Sequence, residues 1–504
     1  MKTNLKIQFL LAAFLGIWLA GCTITSPPDL SPEKPPQLFD IPWDDRSLFS
    51  AGLINSEQQI LAGLPGASVY HIDFTISDDL HTLSGWQEVH YTNREALPLT
   101  EIYFQLFPNA AGGKTTISSL SVNGQNSEPV YEFLDSALLL DLPTPLEPNE
   151  SIDIRMEFSI DLALQMEGNY GLFGYFEDVI VLDGFYPVIP VYDDEAWNVQ
   201  FPPANADTSY YDASFYLVRV TAPANLTIAA TGVGIEHQSE GDTQTIEYAA
   251  GPARDFYMAA SEHYISASQM HGETLINIYA REGNERGAED ALQFTKDAIQ
   301  SFTDRFGPYP YTEFDVLATP MLALGIEYPG IVGVVSPAFD PNEIISGLPY
   351  PIMLESVVAH EVAHQWFYNL IGNDQIDEPW LDEAMAQYST WLYFVDTYGE
   401  ANAQGYIGSW DSRWDRVNRE EIPIGLAAAT YEGSEYSAII YGRGPLFVQA
   451  LAEEMGQQAF DEFLKAYYQS HKWGIATADS LKQTAELQCG CDLTPLFEAW
   501  VYPQ

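Results

Sequence analysis

Positive charge is what this sequence has least of. Lys and Arg together number 20 against 71 Asp and Glu, which gives a formal net charge of −51 and a pI of about 4.1. Such a field repels phosphate backbones and anionic membrane surfaces, so we expect no nucleic-acid partner. It attracts metal cations and positively charged peptide ends. Because 46% of the residues are hydrophobic and only 18% are charged, the composition also excludes a disordered chain.

The sequence has an apolar run near its start, but the run is too short to span a bilayer comfortably. It covers residues 9–20, follows two lysines and ends in Leu-Ala-Gly-Cys. This ending resembles a bacterial lipobox, in which Cys22 would carry the lipid. We therefore expect residues 1–21 to be a lipoprotein signal peptide, with a plain signal peptide or a buried N-terminal helix as the alternative. Residues 22–60, which are rich in Pro at first, are expected to be a tether.

Cysteine is scarce as well. Besides Cys22, the chain has only Cys489 and Cys491, which a single glycine separates. Export would permit a disulfide between them, but a Cys-Gly-Cys ring is tight. We interpret the two as small residues near the C-terminus, oxidised or not, rather than as a redox centre.

The periodicity of the mature chain changes once. From about residue 69 to residue 265 short alternating or β-branched runs recur between turn signals such as Asn123-Gly124, which predicts antiparallel β structure. Helical spacing then dominates, interrupted by one strand-like interval at residues 314–335. The predicted helices are residues 288–306, 350–371, 379–399, 437–455, 458–470 and 476–487.

The sequence contains no Gly-x-Ser-x-Gly elbow of the kind that serine hydrolases use. It does contain His-Glu-Val-Ala-His at residues 360–364, in a segment that lacks Pro and Gly from residue 353 to 371. On a helix, His360 and His364 lie about 40° apart and one turn apart, so both can ligate one tetrahedral Zn²⁺. Glu361 falls at the edge of the same arc, where it can act on a water molecule without ligating the metal.

A catalytic zinc usually takes a third protein ligand and keeps one position open. Glu383 is the candidate, 19 residues beyond His364. Gly372 and Pro379 lie between them, so the chain can leave the first helix, turn, and begin a second that brings Glu383 back. By chance, this motif with a Glu at this position would arise in roughly one such chain in a thousand. The alternative is a core helix whose histidines are satisfied by ordinary hydrogen bonds.

With these motifs the chain resembles the gluzincin aminopeptidases, zinc metallopeptidases of the aminopeptidase N and leukotriene hydrolase type (peptidase clan MA). The resemblance covers the mature chain after the tether and implies an α+β multidomain fold in a minimal two-domain form. Residues 61–268 would form an N-terminal antiparallel β saddle or sandwich domain. Residues 269–504 would form a mainly helical, thermolysin-like catalytic domain.

The resemblance also implies roles for the motif residues. One Zn²⁺ per chain would be held by His360, His364 and Glu383. Glu361 would be the general base that takes a proton from water and passes it to the leaving amine.

A second motif lies upstream of the zinc motif. Residues 325–328, Gly-Ile-Glu-Tyr, resemble the family's Gly-x-Met-Glu-Asn exopeptidase motif at Gly325 and Glu327. In the family this Glu binds the α-ammonium group of the substrate, which is a charge-assisted hydrogen bond. Ile326 and Tyr328 depart from the motif but leave that chemistry intact. An ordinary exposed edge-strand Glu is the alternative.

Two tyrosines complete the implied site. Residues 441–444, Tyr-Gly-Arg-Gly, resemble the family's Tyr-x-Lys-Gly, so Tyr441 would stabilise the oxyanion of the reaction. Tyr436, five residues earlier, also matches the family, and plain packing is its alternative.

We therefore expect a zinc aminopeptidase that is lipid-anchored through Cys22 to the outer or cytoplasmic membrane and faces outside the cytoplasm. Its partners would be peptides with a free N-terminus. An open-cleft metallo-endopeptidase of relaxed specificity is the first alternative. A non-catalytic binding lipoprotein that has kept the fold is the second, and it predicts neither zinc nor peptide turnover.

Overall fold

The computed structural model describes residues 38–502 apart from residues 167–169, 194–195, 202, 204–205, 208 and 346. Two large hydrophobic cores organise this part of the chain. One lies mainly among the strands that precede residue 262, and the other lies between a mixed sheet and the helices that follow. The predicted signal peptide and Cys22 fall outside the described residues.

The strands of the N-terminal part form three main sheets, which pack around one core. Eight strands form the largest sheet, in the order β15-β16-β13-β1-β2-β8-β4-β5, which is antiparallel except where β1 runs parallel to β13. The smaller sheets have the orders β14-β17-β10-β9 and β3-β7-β6. Alternate residues of β8 are buried, because one face of its sheet covers the core. The strands are β1 (Val69–Ile76), β2 (Thr82–Thr92), β3 (Leu99–Gln105), β4 (Lys114–Val122), β5 (Gln125–Ser127), β6 (Val130–Glu132), β7 (Ala137–Leu146), β8 (Ser151–Asp161), β9 (Phe173–Phe176), β10 (Val179–Leu182), β11 (Tyr192–Asp193), β12 (Ala196–Trp197), β13 (Ser214–Pro223), β14 (Thr227–Ala230), β15 (Val233–Glu240), β16 (Thr243–Ala253) and β17 (Met258–Ser261).

A separate five-stranded sheet, of order β18-β19-β20-β22-β21, supports the C-terminal part. Its strands β19, β20 and β22 run parallel, and β21 pairs with β22 in the antiparallel sense. The predicted strand-like interval thus holds three strands. The predicted division at residue 268 stays a prediction; that residue lies within β18. The strands are β18 (Tyr264–His271), β19 (Thr274–Arg281), β20 (Glu313–Thr319), β21 (Gly325–Tyr328), β22 (Ile331–Val335), β23 (Ile344–Ile345) and β24 (Leu348–Pro349).

Helices make up most of the remaining C-terminal part, as predicted. Three described helices were not predicted: the short α1 in the N-terminal part, the short α10, and α5, whose 3.6-residue period is masked by Gly405 and Gly408. The helices are α1 (Phe107–Ala110), α2 (Glu285–Arg305), α3 (Ile352–Ala363), α4 (Trp380–Tyr398), α5 (Glu400–Trp414), α6 (Glu435–Ala438), α7 (Gly444–Met455), α8 (Gln457–His471), α9 (Ala478–Cys489) and α10 (Thr494–Trp500). Single 3₁₀ turns cover Ser47–Gly52, Gln58–Ala62, Ser336–Phe339, Asp415–Val417 and Ala428–Thr430, and a π-helical turn covers Ile439–Arg443.

The helix that carries the zinc motif is shorter than predicted. It ends at Ala363 rather than at residue 371, although no Pro or Gly stops it. Beyond it the backbone widens: the N–H of Asn369 donates to the carbonyl of His364, five residues back, and Tyr368 has a φ of 121°. Tertiary contacts of this segment therefore override its helical propensity.

The predicted tether extends too far. Trp43 stacks on His71 of β1 with ring centroids 4.2 Å apart, and Leu38 and Phe49 belong to a third, small core. A tether over the whole of residues 22–60 is therefore wrong for its described part, because the apolar side chains in that part bury themselves against the sheet.

One buried arginine joins the two parts of the chain. Arg254, just after β16, is 2% exposed, and its guanidinium packs against Gly372, where a Cβ would lie 2.4 Å from Arg254 Cζ. The donors of this guanidinium are satisfied by backbone rather than by acids. The accepting carbonyls are those of Tyr211 (3.3 Å), Asn369 (3.0 Å), Leu370 (3.4 Å) and Gly474 (2.5 Å).

Two further features bear on the sequence expectations. Cys489 and Cys491 are joined by a disulfide at the end of α9. Over the described residues, none of the helices combines the length and the apolar character that crossing a membrane requires.

Candidate active site

The two histidines of the zinc motif lie at the end of α3. His360 is inside the helix, and His364 follows its last residue with a backbone that is still helical, so its N–H donates to the carbonyl of His360 at 3.3 Å. The two Nε2 atoms are 3.2 Å apart. The early end of the helix thus leaves the predicted pairing of the imidazoles unchanged.

Glu383 reaches the histidines from the first turn of α4. The chain turns after α3 and begins the new helix directly behind Pro379. Glu383 Oε2 lies 3.1 Å from His360 Nε2 and 3.6 Å from His364 Nε2. The N–H of Glu383 donates to Asp382 Oδ1 at 2.9 Å, which fixes the start of the turn.

The three donor atoms fit a tetrahedral zinc ion. Their separations run from 3.1 to 3.6 Å, and ligands about 2.0–2.1 Å from a tetrahedral zinc are about 3.4 Å apart. All three residues are buried. Without a cation, the lone pairs of such a set would converge on one point away from water, which is unfavourable.

The protonation of these ligands also suits a metal. His364 Nδ1 lies 3.0 Å from the carbonyl of Phe367 and donates to it, so Nε2 is the atom that faces the cluster. Although burial opposes it, the charges of Glu327 and Glu383 raise the pKa of His364 well above its usual value, so a zinc ion would take the place of a proton on Nε2. Burial lowers the pKa of His360 and favours the neutral, ligating imidazole. Although burial opposes it, the neighbouring imidazoles of His360 and His364 hold the pKa of Glu383 well below its usual range.

Glu361 extends from α3 toward β21. Its carboxylate lies against Gly325, where a Cβ would be 2.1 Å from Glu361 Oε1, so a larger residue could not stand there without displacing the acid. Carboxylate oxygens of Glu361 and Glu327 and a nitrogen of His364 lie within 4.8 Å of one another. Burial raises the pKa of Glu361 well above its usual value, which suits a group that must accept a proton.

Glu327, on β21, is held by a glutamine that the motifs did not indicate. Gln375 Nε2 donates to Glu327 Oε1 at 2.7 Å and to Asp382 Oδ2 at 2.6 Å. Its Oε1 accepts from the N–H of Ser209, in the N-terminal part, at 3.1 Å. One neutral amide thus bridges two buried carboxyl groups. Burial raises the pKa of Glu327.

The N-terminal part contributes an acid that sequence reasoning missed. Asp207, between β12 and β13, is 7% exposed and lines the same cavity as Glu327. Burial, followed by the charges of Glu327 and Glu383, raises the pKa of Asp207 well above its usual value. No motif surrounds it, so only the fold reveals that it belongs to the site.

The two predicted tyrosines lie beside the zinc ligands. The hydroxyl of Tyr441, in the π-helical turn, donates to Glu383 Oε1, and its ring centroid is 6.3 Å from that of His360. The rings of Tyr441 and Tyr436 are 6.1 Å apart. The Tyr436 hydroxyl is buried and has no hydrogen-bond partner within the described structure.

The basic residue of the tyrosine motif has a different place. Arg443 is 2% exposed, and its guanidinium donates to the backbone carbonyls of Ile422, Ala499 and Trp500. It therefore anchors the end of the chain beneath the π-helical turn.

These groups open onto one cavity of about 880 Å³. The cavity thus brings together the predicted zinc-site and substrate-site residues except His364, which is fully buried behind it, and adds two acids that the motifs did not indicate, Asp207 and Glu355. The site residues in its lining include Asp207, Gly325, Glu327, Glu361, Tyr436 and Tyr441.

Comparison with known proteins indicates one family. Residues 290–500 match the peptidase family M1 domain. The chain is 25% identical over 347 residues to Aminopeptidase M1-B of Oryza sativa subsp. japonica, a match that covers 64% of this chain and 39% of that protein. It is 23% identical over 382 residues to endoplasmic reticulum aminopeptidase 2 of Homo sapiens, covering 72% and 38%. The chain spans about two fifths of the length of these relatives.

Solved structures share the fold along almost the whole chain. The M1 zinc metallopeptidase from Deinococcus radiodurans aligns with a TM-score of 0.65 and 21% identity, covering 91% of this chain and 95% of that one. A mutant of that enzyme bound to a Tyr-Ser-Ala substrate aligns with a TM-score of 0.66, covering 91% and 97%. The predicted α+β class, with a sheet-rich N-terminal part and a helical C-terminal part, is confirmed.

Proposed function

We propose that this chain, which carries a peptidase family M1 domain at residues 290–500, is a zinc-dependent aminopeptidase. The observation that carries the proposal is the convergence of three kinds of group in one cavity. They are a donor set that fits zinc, the separate carboxylate of Glu361 and the amine-binding candidate Glu327.

His360, His364 and Glu383 would hold one zinc ion per chain. When bound, the ion supplies a Lewis acid that polarises water and the peptide carbonyl. Metal analysis of the purified protein should give about one zinc per chain, and a chelator should remove both the zinc and the activity. Turnover that persists in metal-free protein would contradict this assignment.

Glu361 would carry the proton transfers. It is not one of the three zinc-ligand candidates, and it faces the cavity beside Gly325. Its raised pKa favours accepting a proton from the attacking water. The same carboxyl group then returns the proton to the leaving amine.

Glu327 and Asp207 would bind the α-ammonium group of the substrate. Both are buried acids at the cavity wall; burial raises the pKa of each, and the charges of Glu327 and Glu383 raise that of Asp207 further. An ammonium placed among them would form charge-assisted hydrogen bonds and remove that repulsion. Because this anchor lies close to the zinc-ligand candidates, cleavage would release one residue at a time.

Tyr441 would stabilise the negative charge that develops on the carbonyl oxygen. Its hydroxyl is already at the ligand set, where it donates to Glu383. A small rotation would redirect this hydrogen bond to a substrate oxygen. Tyr436, whose buried hydroxyl lacks a partner in the described part of the chain, is the candidate for a second donor.

The experiment that tests exopeptidase activity compares a peptide that has a free N-terminus with its N-acetylated form. We expect the free peptide to be cleaved at its first bond and the acetylated one to resist. Glu327→Gln should reduce this difference. Equal cleavage of both forms by the wild-type protein would contradict the proposal and favour an open-cleft metallo-endopeptidase.

We also propose that the mature chain is attached to the cell envelope through a lipid on Cys22 and faces outside the cytoplasm. The support is the lipobox-like ending of the short apolar run. Metabolic labelling with a fatty acid should label the wild-type protein, and Cys22→Ser should abolish the label and release the protein from the membrane fraction. Unlabelled wild-type protein would contradict the proposal.

A further inference from the structure

The cavity has one strongly basic residue in its wall. Besides the imidazole of His360, the charged side chains described in its lining are carboxylic acids and a single guanidinium, that of Arg413 on α5. Arg413 Cζ lies 5.8 Å from the centroid of the Tyr441 ring. A guanidinium therefore stands near the proposed reaction centre, in a chain that has 71 acids and only 20 basic residues.

The donors of Arg413 are poorly used within the protein. Its Nη1 is 3.5 Å from Gln387 Oε1 and 3.4 Å from the carbonyl of Tyr441, both at the long limit for a hydrogen bond. The nearby acids Asp411 and Asp415 pair instead with Arg419. Within the described residues Arg413 has no ion-pair partner.

The helix directs a polar face toward the cavity. Four polar residues of α5 are spaced by four, three and four positions, so they lie on one face of the helix. All of them line the cavity. They are Asn402, Tyr406, Ser409 and Arg413.

The position of Arg413 limits which part of a substrate it can meet. Its guanidinium is 5.8 Å from the Tyr441 ring, and that ring is 6.3 Å from the His360 ring. The guanidinium therefore lies within about 12 Å of the His360 imidazole. About three extended residues, at about 3.5 Å each, span this distance. We propose that Arg413 binds the C-terminal carboxylate of short peptides that extend one to three residues beyond the cleaved bond.

This inference rests on the proposed function and names its substrate class. The cavity would recognise both ends of a zwitterionic peptide, with Glu327 and Asp207 at the ammonium end and Arg413 at the carboxylate end. A guanidinium presents several donors in one plane and suits a carboxylate. Glu355, another acid of the lining, is already occupied, because its Oε1 accepts hydrogen bonds from Tyr393 and Tyr398.

The test uses Leu-Gly, Leu-Gly-Gly and Leu-Gly-Gly-Gly, each as the free acid and as the C-terminal amide. We expect the wild-type protein to prefer the acid at one of these lengths by at least about tenfold in kcat/KM, the effect of one hydrogen bond to a charged group. Equal rates for acid and amide at every length would overturn the inference.

Three variants separate carboxylate binding from support of Tyr441. Arg413→Gln should bring the acid-to-amide ratio close to one, and Arg413→Lys should restore part of it. Arg416→Gln removes a charge from an exposed position on the next turn and should keep the wild-type ratio. If Arg413 only supports Tyr441, the Arg413→Gln variant will lose rate on both forms and keep the ratio, which would also overturn the inference.

A binding measurement distinguishes failure of this inference from failure of the proposed function. In Glu361→Gln protein, the Kd of the best acid should be at least about tenfold lower than that of its amide, and adding Arg413→Gln should remove the difference. Binding of both forms with equal affinity would overturn the carboxylate site alone. Binding of neither form would overturn the site together with the peptide substrate class.

Discussion

The N-terminal sheets and the cavity of the helical part bury polar side chains in opposite ways. In the sheets, Asn93 donates to two backbone carbonyls, at 2.8 and 2.9 Å. In the cavity, His360, His364 and Glu383 face one another, with their donor atoms 3.1 to 3.6 Å apart.

This difference separates groups that stabilise the fold from groups that need a ligand. A buried amide that is satisfied by backbone stabilises the structure, and its removal leaves carbonyls without partners. Buried acids and imidazoles that mainly face one another make the apo-protein less stable than an apolar core would, and they persist because they function. Substitutions in the first class should therefore lower stability, and those in the second should lower activity.

The largest effect is expected for Glu361→Gln. Loss of the general base should lower kcat by about 10²- to 10⁴-fold. Because the substitution removes a buried carboxyl group whose pKa burial raises, the melting temperature should stay the same or increase. Activity assays, zinc analysis and thermal unfolding check the three expectations.

Glu355→Gln is the matched control, since this residue is a buried acid on the same helix and at the same cavity. Its Oε1 accepts two tyrosine hydroxyls, so it belongs to the stabilising class and should cost stability more than rate. Loss of zinc from Glu361→Gln, together with a lower melting temperature, would make Glu361 a structural residue instead.

Arg254→Met tests the other side of the comparison. This change leaves the carbonyls of several segments without a donor at the junction of the two parts, and each unsatisfied buried group costs about 1–3 kcal/mol. We expect the free energy of unfolding to fall by at least about 3 kcal/mol, measured by urea denaturation. Arg219→Met, which removes two partly exposed ion pairs, should cost less, at most about 1 kcal/mol for each pair. Equal losses in the two variants would contradict the distinction.

Gly325→Ala should change the position of the base without removing it. The added Cβ would lie 2.1 Å from Glu361 Oε1, so the carboxylate must move. A displacement of about 1 Å in an active site can cost about 10²-fold in rate, and we expect kcat to fall by about that factor while the fold persists. Gly408→Ala, on a helix where the added methyl meets nothing, is the control and should be neutral or slightly stabilising.

Sequence patterns predicted those parts of the site that depend on local structure. His360 and His364 are one helical turn apart and Glu383 follows 19 residues later, so spacing indicated these three, whereas Glu327 was indicated only by the resemblance of residues 325–328 to a family motif. Helix types and order were predictable for the same reason. The end of α3 at Ala363 was not, because the segment just beyond it is held by residues far away in sequence: Arg254 donates to the carbonyl of Asn369, and the N–H of Trp473 donates to that of Leu370.

Long-range contributions to the site carried no local signal. Asp207 reaches the cavity only because the N-terminal part packs against the helical part, and Gln375 bridges two acids that are far apart in sequence. The helix α5 has a polar face toward a cavity instead of an apolar face toward a core, so hydrophobic periodicity missed both it and Arg413.

Asp255 tests whether one carboxyl group can belong to both classes. Its Oδ2 accepts from the hydroxyls of Tyr368 (2.6 Å) and Ser209 (3.3 Å), whereas its buried Oδ1 has no partner in the described structure. Burial raises the pKa of Asp255 from 3.8 to about 7. The folded protein thus keeps a proton on Asp255 that the unfolded chain loses near pH 3.8. The contribution of this proton to the free energy of unfolding is full below pH 3.8 and is lost as the pH rises through about 7.

The smallest effect is therefore expected for Asp255→Asn, which removes this titration. Between pH 4 and 7 the free energy of unfolding of the wild-type protein should decrease, relative to that of the variant, by at most about 1.4 kcal/mol per pH unit. Urea denaturation at pH 5 and pH 7 measures the difference. Parallel pH profiles would mean that Asp255 stays ionised in the fold. The hydroxyl groups of Tyr368 and Ser209 would then be sufficient to stabilise a buried carboxylate. The unpartnered Oδ1 would lower the free energy of unfolding by less than its burial implies.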